Sequence, residues 1–426
     1  MARRRLFTFL TRRRAFRSAC VLLVLGLAMP QLWAWYHLRS ASAALAKHHP
    51  DEARAALASC ERVWGGRASV HLLAARAARQ AGDIPAAATE LRTAQRLAGG
   101  GATDATAFEW ALLQASAGNV REVEEFLQKR AEQNPTAAPL VWEAQAVGYL
   151  RAYRTVDAMA CLNHWLKRQP DDVRALELRG ETYVIGKGVT RGADDYRRVL
   201  ELDPTRSATR WKLAECLLAL GSYDEAATHL EQFSEAKPTD PVVASRLARC
   251  YHVLGRRPEA RALIDAALRA HPNDAGCLRT RGQLTLTDPD RPRPAEAEAD
   301  LRRAVELRPE DYLAQNLLFS ALQQQGKVAE AKAQLAISES VRDRAERFGE
   351  LSSRKLAESP LDPELHFQMG KLLMQTGRPD VGVQWLLTAL ALDPDHKASH
   401  LELAAYYERT GDKPRAEEHR AAAAKK

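Results

Sequence analysis

The chain has 426 residues, with 62 Lys and Arg against 54 Asp and Glu and a formal charge of +8. That excess sits at one end: residues 1–40 hold eight Arg and no acid, so residues 41–426 balance 54 basic against 54 acidic side chains. A neutral body argues against nucleic acid as a partner, because phosphate binding needs a net basic surface, and six Cys without a CxxC pair argue against a zinc or redox centre.

Taken in order, residues 1–17 carry seven Arg, and residues 18–38 follow with no charge. Twenty-one such residues are about what a helix needs to cross a bilayer. The expectation is a basic cytoplasmic N-terminus (1–17) and a membrane-spanning signal-anchor helix (18–38), with Trp33, Trp35 and Tyr36 at the far interface. The clustered Arg then stay inside, which places the rest of the chain outside a cytoplasmic, inner membrane, facing the periplasm. The alternative is export after cleavage of a signal peptide near Ala41-Ser42-Ala43.

Beyond that segment one small residue recurs, at Ala53, Ala87, Val123, Ala158, Gly192, Ala226, Ala260, Ala297, Ala331, Gly382 and Ala416. The steps are 34 to 37 residues except for one of 51, before Gly382. Pro135, Pro170, Pro204, Pro238, Pro272 and Pro309 close successive copies at nearly the same step. The period therefore divides the chain into about eleven units: nine over 39–336, the first degenerate, and two over 361–426. Between them, residues 337–360 repeat Ile337, Val341, Ala345, Phe348 and Leu351 at helical spacing, which predicts an amphipathic helix that either prolongs the ninth copy or joins the two arrays. His48-His49, ahead of Pro50, read as a solvated turn, and the Cys as small hydrophobes within helices.

Residues 241–274 contain one complete unit, with Leu247, Ala248, Tyr251, Gly255, Ala260, Ala267 and Pro272 where two short antiparallel helices need them. This order of residue types resembles the tetratricopeptide repeat, a helix-turn-helix unit of 34 residues. The resemblance implies an all-α, right-handed superhelical solenoid whose first helices line a concave, protein-binding groove. On the groove positions of the family, Trp211, Lys212 and Glu215, then Ser245, Arg246, Arg249 and His252, then Arg279, Thr280 and Gln283 point inward. Lys212, Arg246, Arg249 and Arg279 beside Trp211 suit an acidic segment or a C-terminal carboxylate. Glu215, three residues from Lys212, is expected to pair with it on the same helix.

No phosphate loop, nucleophile elbow or HExxH motif occurs, so no enzyme activity and no cofactor are expected. His396 and His400 share a helix face but lack a third ligand, so no metal site is expected either. The function implied is a membrane-anchored scaffold or adaptor that holds proteins in its groove. The alternatives are an assembly factor of an envelope complex, or the non-catalytic regulatory subunit of a separately encoded enzyme.

Overall fold

A computed structural model describes residues 28–101, 103–289 and 291–424. Among them no strand occurs, and the chain forms two compact units, Met1–Ala152 and Tyr153–Lys426. The first contains α1 (residues 28–46), α2 (Pro50–Trp64), α3 (Ala68–Gln80), α4 (Ile84–Leu97), α5 (Asp104–Ser116), α6 (Val120–Gln133) and α7 (Ala138–Arg151). The second opens with α8 (Thr155–Arg168), α9 (Val173–Ile185), α10 (Val189–Leu202), α11 (Ser207–Leu220), α12 (Tyr223–Ala236), α13 (Pro241–Val253) and α14 (Arg257–Ala270). It continues through α15 (Ala275–Leu286), α16 (Pro294–Leu307), α17 (Tyr312–Gln324), α18 (Val328–Glu350), the short α19 (Leu356–Glu358), α20 (Pro363–Gln375), α21 (Pro379–Leu392), α22 (Lys397–Thr410) and α23 (Lys413–Ala424). The result is an all-helical solenoid of short antiparallel helices.

Helix ends follow from local chemistry. Asp172, Asp240, Asp274, Asp311 and Asp362 cap α9, α13, α15, α17 and α20, each side chain accepting from a backbone N–H of the first turn. Between the two helices of a copy the chain reverses through a left-handed residue in ten copies; none is found among the described residues of the eighth, whose helices are joined by a longer, proline-rich loop. Gly255 fills that position between α13 and α14 with φ of 77°, where a Cβ would be strained.

The recurring small residue of each second helix is buried in all eleven copies. Close approach of the paired helices explains the requirement: at Gly382 a Cβ would stand 2.5 Å from Met374 Cγ and 2.7 Å from Gly370 O. Leu230, Leu247 and Ile264 fill the largest core, together with the thiols of Cys250 and Cys277, which burial pushes up to about 11 and about 12.

Several expectations change here. Residues 18–27 of the expected membrane segment lie outside the described residues, and no described helix is long and apolar enough to cross a membrane. Residues 28–38 open α1, the first helix of the first copy, whose Ala34, Ala41 and Leu45 are buried against α2. Cys60 Sγ donates to Ala34 O (3.1 Å) and Trp64 Nε1 to Gln31 Oε1 (2.6 Å). His48 is not solvated: it adopts φ of 54°, and its Nδ1 lies 3.4 Å from buried Glu143 Oε1 and 3.2 Å from Gln80 Nε2.

The long helix α18 continues the second helix of the ninth copy to Glu350 and then passes into one π turn, Leu351–Lys355. Of its expected apolar face, Val341 and Leu351 are buried, whereas Ile337, Ala345 and Phe348 face solvent. The π turn spaces its bonds five residues apart. Leu351 and Leu356 therefore reach the same side and pack with Met369, Leu372 and Leu373 of α20.

Candidate protein-binding groove

In the regular part of the second unit, neighbouring first helices are joined by ion pairs that run from copy to copy. Lys212 Nζ lies 3.2 Å from Glu181 Oε2, Arg246 Nε donates to Glu215 Oε1 (2.5 Å), and Arg279 Nη1 donates to Asp311 Oδ2 (2.5 Å). Glu215 thus pairs with Arg246, 31 residues on, rather than with Lys212 three residues back. Residues 31 apart meet because successive first helices lie side by side, and Lys212 is already held by the preceding copy. Half-buried pairs of this kind neutralise much of the expected basic surface while tying copies together.

Two guanidinium groups escape this ladder. Among the described residues Arg249 has no carboxylate within ion-pair distance; it reaches the Tyr223 hydroxyl (3.5 Å) and stands over that ring at 5.8 Å. Arg308, exposed at the C-terminus of α16, has no carboxylate within ion-pair distance among the described residues. Both line one cleft of about 320 Å³ with Arg246 and Arg279. Val242 and Leu313, 45% and 50% exposed, supply its apolar wall. The cleft therefore offers two unneutralised arginines beside aliphatic surface, a combination that binds a carboxylate next to an apolar side chain.

Arg246, Arg249 and Arg279, expected in the groove, come together in this cleft with Glu215 and Ser245, whereas Trp211, Lys212, His252, Thr280 and Gln283 do not line it. Trp211 packs edge-on against Phe233 at 5.6 Å and leans on the core. His252 sits near the next copy, its Nε2 3.3 Å from Thr287 Oγ1, with burial first and Arg257 second lowering its pKa. Thr280 is buried and donates to Gly276 O within its own helix. Sequence reasoning missed Arg308 because it considered only first-helix positions. Arg308 closes α16 just before Pro309, a linker position that carried its own proline signal.

His396 and His400 diverge in spite of their spacing. His396 caps α22 by accepting from Ser399 N, and its Nε2 lies 3.3 Å from Glu364 Oε2. His400 Nδ1 instead meets His419 Nδ1 at 2.9 Å, and its Nε2 meets Pro394 O at the same distance.

Among solved structures, similar helical arrays include YrrB, a tetratricopeptide protein with an unusual peptide-binding site, at 19% identity over 49% of this chain and 96% of that one, TM-score 0.27. A tetratricopeptide repeat protein from Parabacteroides merdae shares 16% identity over 68% of this chain and 99% of that one, TM-score 0.33. A human IFIT1 dimer with m7Gppp-AAAA shares 16% over 84% and 89%, TM-score 0.35. No curated protein matches the chain. Tetratricopeptide repeat models match residues 191–245 and 219–284, and a second set matches 38–102 and 367–426. These matches together take in just over half of the 426 residues, and the chain belongs to the tetratricopeptide repeat family.

Proposed function

We propose that this protein is a membrane-anchored scaffold that captures a protein or peptide through the cleft between α13, α15 and α17. The observation that carries the reading is the pair Arg249 and Arg308, unmatched by acids in a cleft where the other arginines are matched. The partner presents a carboxylate, from an acidic segment or a chain terminus, beside an aliphatic side chain that covers Val242 and Leu313.

The membrane part of the proposal rests on the uncharged residues 18–38 and on the outer face of α1. One face of that helix is committed to the first copy, while Met29, Leu32, Trp33, Trp35 and Tyr36 are exposed. Exposed Trp and Tyr beside an apolar run are characteristic of the membrane interface. With the arginines inside, the repeats face the outside of the cytoplasmic membrane. The chain itself acts without catalysis.

Pulldown from solubilised membranes with the full chain tests the groove. Arg249→Glu with Arg308→Glu should abolish capture of a partner at unchanged helical content, and undiminished capture would overturn the reading. Reporter fusions at both termini test the topology, which fails if the C-terminal reporter is active only in the cytoplasm.

A further inference from the structure

The first unit holds a side-chain cluster that the groove reading does not use. Glu61 of α2, His71 of α3 and Glu90 of α4 each bring one ligand atom to a common point, all within 4.8 Å of one another. His71 Nε2 lies 2.9 Å from Gly65 O, and His71 Nδ1 lies 2.7 Å from Glu90 Oε2. A carbonyl only accepts, so Nε2 carries the hydrogen. A neutral His71 then aims the bare lone pair of Nδ1 at a carboxylate oxygen, two acceptors in contact. Either a proton on Nδ1 or a metal ion resolves that contact, the ion by moving the two atoms apart from their 2.7 Å separation.

The surroundings supply no side-chain cation. Neither Glu61 nor Glu90 has a Lys or Arg within ion-pair distance among the described residues, although Arg54 takes Asp83 and Arg76 takes Glu109 in the same unit. Arg67, the arginine of the α2–α3 turn, is instead stacked over Trp64 at 4.0 Å. The bond from His71 Nε2 to Gly65 O is also the arrangement that metal-bound histidines adopt, with the non-ligating N–H fixed on a backbone carbonyl.

We propose that Glu61, His71 and Glu90 form a binding site for a first-row divalent metal ion, with His71 Nδ1 and one oxygen of each carboxylate as ligands. One imidazole nitrogen and two carboxylates suit Zn2+, with water completing the coordination on the exposed Glu61 side. The ion would join α2, α3 and α4 and so fasten the first copy to the second. Sequence reading expected no metal because the donors stand 10 and 19 residues apart on three helices, a spacing without a motif. The competing occupant is a proton, which would leave an imidazolium between two carboxylates.

The test is equilibrium dialysis of the purified full chain, stripped with chelator and titrated with ZnCl2, with bound metal measured directly. Wild type should hold one equivalent more than His71→Asn or Glu90→Gln, and zinc should raise its melting temperature. Sites elsewhere, such as the His400–His419 pair, remain in the variants and cancel in the difference. Glu61→Gln, a change at an exposed side chain that leaves the fold intact, should weaken that equivalent about tenfold or more. Equal zinc content in wild type and the folded Glu61→Gln and Glu90→Gln variants would overturn the site and leave the proton as its occupant.

Discussion

Lys187 turns through φ of 62°, Tyr153 through 55° and His48 through 54°, at the point in their copies where other copies place glycine. A side chain in that conformation costs about 1–2 kcal/mol. Lys187→Gly should therefore raise stability, by up to about 1 kcal/mol once the added freedom of the unfolded chain is offset. Gly255→Ala should lower it by about 1–2 kcal/mol, and denaturant titration of both variants reads the two signs. The glycine turns were legible in the sequence. These three substitutes were not, because nothing in Lys, Tyr or His announces a left-handed residue.

Glu298 makes a second prediction at this scale. Burial opposes its ionisation, but hydrogen bonds from Lys327, Arg302 and Gln325 outweigh that and hold its carboxyl at about 2, against an ordinary 4.5. A depressed carboxylate contributes stability that is present above the ordinary value and is lost as pH falls through the folded one. The stability gap between wild type and Glu298→Gln should be constant above about 4.5 and shrink toward pH 2, as thermal melts across that range would show.

At the scale of elements, the second helices carry the clearest signal. Ala226 is fully buried where α12 crosses α11, so Ala226→Leu should destabilise by about 1–3 kcal/mol through overpacking. Leu356→Ala, at the fully buried end of the π turn, should cost about 2–5 kcal/mol by leaving a cavity. Ile337→Ser, on a side chain half open to water, should change stability by less than about 0.5 kcal/mol. Equal losses at Leu356 and Ile337 in urea titrations would contradict this assignment of faces. Periodicity made residues 337–360 helical but assigned the buried face partly wrongly, because the face that α18 turns inward runs through Gln334, Ser338 and Val341, and two of these are polar.

At the scale of the whole molecule, each copy packs mainly on its neighbours, and stability should propagate only locally. Ile264→Ala in α14 should speed amide hydrogen exchange in α13 to α16 and leave α3 and α4 unchanged; a uniform acceleration would count against this. One long-range contact departs from the pattern within the second unit: the Tyr153 ring lies 4.8 Å from Trp385, more than two hundred residues away in sequence. The charge balance of residues 41–426 also takes on a structural meaning. Many acids and bases are rungs between copies, so the net charge hides the few arginines left without a rung.

The sequence by itself determined the fold class, the period, the buried small residue of each copy and most helix ends. All of these depend on local spacing or on packing between adjacent helices, which a repeat writes out many times. Only the tertiary structure decided which charges remain available. Pairing across 31 residues assigns Glu215 to Arg246, leaves Arg249 and Arg308 open, and turns Trp211 toward Phe233. Those outcomes depend on the distance between side chains of neighbouring copies, a quantity that spacing along one chain does not contain.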